Sequence, residues 1–482
     1  MDSPVQFSVL PSKVFLVGIG GIGMSGLAQL LRWQGHDVAG SDRGLDEPGK
    51  DELYAALRRQ GIRLYAQDGS GVRAEAPDAL IISTAVESNN PDLQVMPACP
   101  VVHRAKALAA ALNRLDGKQI AVAGSCGKTS VTGWIASALR ALGEDVLMVN
   151  GGYSLDAETD VFPGNFAVAG QCPRWLVYEV DESDRSLNAF TPDYGVLLNV
   201  GNDHYSQDEL RVVFAGFLER CRCGVAVLAD LADLAANGPR RQALFAAEET
   251  LAPGVLYPME YAADAKGIRF QVPGFGEVLS SQSGRHSAVN ATATLALLSL
   301  LDLPHSPTAL AGALAAFPGV RQRFEVIGQW ADGTAVINDY AHNPEKIAAA
   351  LSTARERFGS PLLACFQPHG FRPLEFMRAT LLEALRGALE PDDRLLLLPV
   401  YYAGGSASFK PTSEEVAAEL AAAGLPVQAA TRLEAEALIR KQRDASCCLV
   451  MGARDSSLRE WTKQLTREEG GSGQWTMDVS GL

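Results

Sequence analysis

Gln119-Ile-Ala-Val-Ala-Gly124-Ser125-Cys126-Gly127-Lys128-Thr129-Ser130 decides how this chain is read. An apolar strand, Gln119–Ala123, runs into a glycine-rich turn, and Val131–Leu142 then carries the pattern of a helix. Backbone amides of such a turn, with the positive end of the helix dipole, cradle phosphates. A lysine at 128 neutralises β/γ charge, and a hydroxyl at 129 reaches Mg²⁺. The motif is shorter than the standard P-loop, with Val122 where the longer form has its first glycine. The strand before it and the helix after it predict a nucleoside-triphosphate site.

Such a site needs hard oxygen ligands at the ends of neighbouring strands, and two downstream stretches offer them. Trp175–Val180 runs into Asp181-Glu182-Ser183-Asp184, and Tyr194–Val200 runs into Gly201-Asn202-Asp203-His204. Carboxylates at a strand end suit Mg²⁺. Upstream, a second loop has no lysine. Gly18-Ile-Gly20-Gly21-Ile-Gly23-Met24-Ser25-Gly26 follows the strand Val14–Val17, opens a helix to about Trp33, and has Asp42 about twenty residues on. That context fits the fingerprint in which a pyrophosphate sits on a helix N-terminus, and it serves NAD, FAD or a UDP-sugar equally. One loop holds a nucleotide that is only bound; the other holds one that is broken.

Short apolar runs alternate with helical patterns throughout, which predicts an α/β fold of parallel sheets with crossover helices. At 482 residues the chain suits three domains. A polar stretch, Asn113–Lys118, precedes the strand of the phosphate loop, and Pro318-Gly319 precedes Val320-Arg321-Gln322-Arg323-Phe324. These breaks give domains at 1–115, 116–318 and 319–482. Further strands are expected at Ala335–Asn338, Leu362–Phe366, Arg394–Val400 and Cys448–Met451; residues 233–282 show no clear period. A net charge of −14 argues against nucleic acid or an anionic membrane as partner. With no apolar run of spanning length and no signal pattern, a cytoplasmic protein is expected. The eight cysteines form no zinc pattern, and Cys221, Cys223, Cys447 and Cys448 read as buried thiols.

Several motifs in order resemble the Mur ligases, the ATP-dependent amide-forming enzymes of peptidoglycan precursor synthesis, and most closely the branch that acts first. They are the Gly18–Gly26 loop with Asp42, the Gly124–Ser130 loop, Asp181–Asp184, Asn199 with Asp203-His204, Gly284-Arg-His286 with Asn290, Arg321–Phe324, Asp339-Tyr340-Ala-His342-Asn-Pro344, and Phe366-Gln-Pro-His369. The resemblance implies three domains: a Rossmann-like UDP-binding domain, a P-loop ATPase-like central domain and a Rossmann-like C-terminal domain. It implies ATP on Gly124, Ser125, Cys126, Gly127, Lys128, Thr129 and Ser130, with His286 and Asn290 at the adenine and Arg323 and Asp339 closing from the last domain. Mg²⁺ falls to Thr129, Glu182 and His204. Gly18, Gly20, Gly21, Gly23, Met24, Ser25 and Asp42 would hold a UDP-N-acetylmuramate-type sugar, and Tyr340, His342, His369 and Arg372 an amino acid, L-alanine first, or a short peptide. A monomer or homodimer is expected.

Departures from the family pattern gather in the last third. Gly370 stands where an arginine is usual, Arg372 is displaced, and Arg454 stands where glycine is common. No lysine occurs between Lys128 and Lys266, so a carbamylated lysine is not expected. Three other readings stay open: a ligase for a ready-made peptide, an NAD-dependent oxidoreductase, and a nucleotide-binding relative without ligase activity.

Overall fold

In the computed structural model the described residues are 9–45, 51–182, 186–201, 206–402, 409–441 and 444–467. They fold as two compact units divided between Arg321 and Gln322. The first unit contains two large sheets. The N-terminal sheet has β1 (Lys13–Val17), β2 (Asp37–Asp42), β3 (Arg63–Ala66), β4 (Ala79–Ile82) and β5 (Val101–His103), in the order β3-β2-β1-β4-β5 with every pairing parallel. Val14–Val17 is buried throughout, as expected where helices cover both faces of a parallel sheet. The chain winds one way from β1 to β3 and the other way through β4 and β5. In open parallel sheets a crevice forms outside the carboxyl ends at such a reversal, and the Gly18–Gly26 loop leaves β1 there.

The central sheet comprises β6 (Lys118–Ala123), β7 (Val146–Val149), β8 (Phe166–Val168), β9 (Trp175–Glu179), β10 (Tyr194–Leu197), β11 (Gly224–Leu228), β12 (Gln242–Phe245) and β13 (Val255–Leu256). Their order is β13-β12-β11-β10-β6-β9-β7-β8, with only β8 antiparallel to its neighbour among the described strands. β6 lies between β9 and β10, so the glycine-rich loop after β6 is flanked by the strand ends that lead to Asp181-Glu182 and to Asn199. The helix Arg285–Leu300 shares a core with β6, through Ala288, Ala291, Leu295 and Leu298 with Ile120 and Val122. Residues 233–282, aperiodic in sequence, hold β12, β13 and a small antiparallel sheet of β14 (Met259–Asp264), β15 (Gly267–Val272) and β16 (Gly276–Ser280).

The second unit is built on β17 (Glu325–Gln329), β18 (Ala335–Asp339), β19 (Leu362–Gln367), β20 (Arg394–Leu397), β21 (Val427–Ala429) and β22 (Cys447–Gly452). The order is β17-β18-β22-β19-β20-β21, parallel except for the edge strand β17. β20 stops three residues short of the expected Val400, where Pro399 lacks the amide a ladder requires. Burial pushes the Cys221 and Cys447 thiols up to about 12, whereas Cys223 is only partly covered and Cys126 and Cys172 are exposed. No described helix is long and apolar enough to cross a membrane.

Candidate active site

The turn after β6 is shaped by two glycines in the left-handed region, Gly124 at φ 138° and Gly127 at φ 87°. Gly127 caps the helix Lys128–Ala141, whose first amides have no partner within the helix. Asn199, just past β10, holds the turn: its carboxamide oxygen accepts from the Cys126 amide at 2.8 Å and its nitrogen donates to the Cys126 carbonyl at 3.0 Å. Ser125 donates its own amide to the Asn199 carbonyl, and its hydroxyl accepts from the Gly201 amide at 2.8 Å. A Cβ on Gly127 would stand 2.9 Å from the Asn290 side-chain oxygen, so Asn290 lies against the loop as well. His286 is exposed on the first turn of its helix.

Charge is concentrated beside this loop. Lys128 Nζ donates to the Gly124 carbonyl at 2.7 Å and to Glu182 Oε2 at 2.8 Å, with 16% and 7% of the two side chains exposed. Thr129 Oγ1 donates to Glu179 Oε2 at 2.9 Å. Glu179 ends β9 opposite Val122 on β6, two residues before the acids singled out in the sequence. Gly151 makes room for it, since a Cβ there would fall 1.7 Å from Glu179 Oε1. Ser130 continues the helix, partly exposed. His204 and Asp184 lie outside the described residues. Among the described residues no group of three or more His, Cys, Asp and Glu side chains gathers as a metal centre.

The first loop is organised around Asp42. Gly18 turns at φ 78°, and the amides of Gly18 and Ile19 both donate to the Ser41 carbonyl. Asp42, only 8% exposed, accepts from the Gly20 amide at 2.7 Å, the Gly44 amide at 2.9 Å and the Tyr54 hydroxyl at 2.9 Å. Its carboxylate thus shapes the loop from inside. Gly21 caps the helix Ile22–Trp33. Met24 and Ser25 are buried, and the Ser25 hydroxyl donates to the Ile22 carbonyl and accepts from Asn165. A Cβ on Gly23 would stand 2.8 Å from Arg104 Nη1, so a guanidinium overhangs the loop.

In the second unit, Asp339 ends β18 and accepts from the Phe324 and Ala341 amides, each at 2.7 Å. Burial raises its carboxyl above the usual range against these two bonds and the charge of Arg323. Arg323 lies over the Tyr340 ring, 5.3 Å from its centre. His342 Nδ1 donates to the Tyr340 carbonyl at 2.9 Å, a carbonyl being able only to accept. Its ring meets those of Tyr340 at 5.4 Å and His369 at 5.1 Å, both edge to face. Burial brings His369 down to about 4, assisted by His342 and Arg454. Arg372 stacks on Phe376 along its own helix; the cation whose charge reaches the two histidines is Arg454.

Three segments match descriptions of one family: 13–115 "Mur ligase family, catalytic domain", 122–298 "Mur ligase middle domain" and 322–454 "Mur ligase, glutamate ligase domain". The UDP-N-acetylmuramate–L-alanine ligase of Acidithiobacillus ferrooxidans is 34% identical over 444 residues, covering 86% of this chain and 89% of that protein. The chain belongs to the Mur ligase family. A UDP-N-acetylmuramate–L-alanine ligase of Sinorhizobium fredii is 32% identical over 85% of this Mur ligase and 87% of its own length. The crystal structure of the UDP-N-acetylmuramate–alanine ligase MurC of Thermotoga maritima superposes with a TM-score of 0.76 at 27% identity, covering 94% of this chain and 98% of that one. Three contacts of this Mur ligase go beyond what its sequence motifs indicate: Glu179 against Thr129, Asn199 bracing the Gly124–Ser130 loop, and Arg104 over Gly23. Glu179 had a signal, being the last residue of the strand that pairs with β6. Arg104 had none, since the overlap with Gly23 is a tertiary contact.

Proposed function

We propose that this Mur ligase joins L-alanine to the carboxylate of UDP-N-acetylmuramate at the expense of ATP. The observation that carries the reading is the Gly124–Ser130 loop. Its lysine and threonine meet Glu182 and Glu179 in a chain one-third identical, over most of its length, to proteins named for that reaction. Residues 1–115 hold the UDP-sugar, 116–318 hold ATP, and 319–482 hold the amine. The substrate carboxylate attacks the γ-phosphorus of ATP, forming an acyl phosphate and releasing ADP. The amine of L-alanine then attacks the acyl carbon, phosphate leaves, and the ammonium proton passes to solvent or buffer.

Lys128 is drawn between Gly124, Glu182 and the entering phosphates, where its charge offsets that of the transferring group. Thr129, Glu179 and Glu182 offer oxygen ligands that suit Mg²⁺ alongside phosphate oxygens and water; the imidazole nitrogen of His204 is proposed as a further ligand. Bound there, the ion would neutralise phosphoryl charge. Arg104 and the free amides at the start of the helix Ile22–Trp33 suit a diphosphate. An acyl phosphate hydrolyses readily, so the amine site must exclude water. A peptide acceptor is the second reading, favoured by glycine at 370 where the family pattern has an arginine. ADP release with UDP-N-acetylmuramate and L-alanine, glycine, L-serine or the tripeptide tests this. Stimulation by L-alanine above the others is expected; stimulation by the tripeptide alone would move the assignment to the second reading.

A further inference from the structure

The carboxyl ends of β18, β22 and β19 lie side by side in the sheet of the second unit. The chain passes from β18 to β19 and later returns through β22 between them. In open parallel sheets, ligands bind in the crevice outside such a reversal. Three side chains follow these ends closely: His342 after β18, His369 after β19 and Arg454 after β22. The Nδ1 of His369 is buried there without a hydrogen-bond partner.

Arg454 is held in an unfavourable backbone conformation, φ 69°, a region that residues with a Cβ seldom occupy. Such strain persists where the surroundings over-determine it. The constraint is Arg432, which donates to Gln367 Oε1 at 3.0 Å at the end of β19 and to Ser457 Oγ at 2.9 Å, and also pairs with Asp455. The turn after β22 is thereby fastened to β19. The neighbouring Asp455 is fully engaged, by Arg432 and by the Ser457 amide and hydroxyl. Arg454 is left exposed and pairs with no carboxylate among the described residues. Lys346, Arg323 and Arg454 all face His342 electrostatically, and the nearby acid Asp339 is taken by two backbone amides. The crevice is cationic, with neutral imidazoles.

We propose that Arg454 grips the α-carboxylate of the incoming amino acid and so sets the position of its amine, an assignment that rests on the ligase reading above. A guanidinium meets a carboxylate through two parallel hydrogen bonds, which fixes orientation as well as affinity. Neutral His342 and His369 add no further positive charge beside Arg454.

The test compares ADP release by wild type, Arg454→Gly and Arg454→Lys with L-alanine and with L-alaninamide, which lacks the carboxylate. Glycine accepts a positive φ at no steric cost, so Arg454→Gly should keep or raise the melting temperature. The assignment expects its KM for L-alanine to rise about 10²-fold, the scale of a lost charge-assisted bond. KM for ATP and for UDP-N-acetylmuramate should not change, and the preference for L-alanine over its amide should disappear. Arg454→Lys should recover only part of that preference, since a lysine cannot bind in the forked geometry. An Arg454→Gly enzyme with wild-type KM for L-alanine and intact discrimination against the amide would overturn the assignment alone. A wild-type enzyme that releases no ADP with any acceptor would overturn the ligase reading and the assignment together.

Discussion

At the scale of single residues, the Lys128–Glu182 pair links stability to chemistry. Both side chains are largely buried, so removing one strands the other, at a cost of about 3–5 kcal/mol. Lys128→Ala is therefore expected to lower both the melting temperature and turnover, the latter by roughly 10²–10³. Adding Glu182→Gln should restore much of the melting temperature and none of the turnover. Parallel recovery of both would mean that Lys128 has only a structural role. His369 gives a second prediction. Its folded value of about 4 lies below the ordinary 6.5, so between these values the unfolded chain takes up a proton that the native ring refuses. Stability should be fully present above pH 6.5 and decline as the pH falls towards 4. The half-buried ring yields only part of the ideal slope. His369→Gln should flatten the decline in urea titrations across that window, and an unchanged slope would contradict the burial argument.

Whole elements were more legible in the sequence than their contacts. The strand–loop–helix units at 14–33 and 119–142 announced themselves because a buried parallel strand is a continuous apolar run and each glycine loop punctuates it. Residues 259–280 did not, because β14 and β16 are only partly buried strands with mixed patterns, and the pairing of β14 shifts register between Met259 and Ala262. Glu179 was hidden for a different reason. It closes β9 but lies within the apolar run Trp175–Val180, so it reads as part of that run rather than as the acid facing Thr129. Asn199 shows how one element positions another, β10 bracing the turn that follows β6. Asn199→Ala removes both bonds to Cys126 and should raise KM for ATP severalfold while leaving KM for the UDP-sugar unchanged. Equal effects on both would indicate general unfolding instead.

At the scale of the molecule, the first unit is joined by a polar seam that no local pattern reveals. Gln29, on the helix after the first glycine loop, donates to Asn165 at 2.9 Å across 136 residues of chain, and Asn165 donates back to the Ile22 carbonyl and the Ser25 hydroxyl, each at 2.8 Å. Asn165 is fully buried, so Asn165→Leu should strand these groups and lower the unfolding free energy by about 1–3 kcal/mol in urea titrations. An unchanged midpoint would remove the seam from the account. Binary sequence patterning reports which residues are apolar, and a buried amide cluster between two sheets lies outside what it can report.

The central claim, that the Gly124–Ser130 loop drives amide formation through an acyl phosphate, is tested most directly by following oxygen. UDP-N-acetylmuramate carrying ¹⁸O at both carboxylate oxygens is incubated with the enzyme, ATP and L-alanine, and the released phosphate is analysed by mass. One ¹⁸O is expected in each phosphate, because the carboxylate oxygen that attacks the γ-phosphorus leaves with it. Phosphate released without label would contradict it.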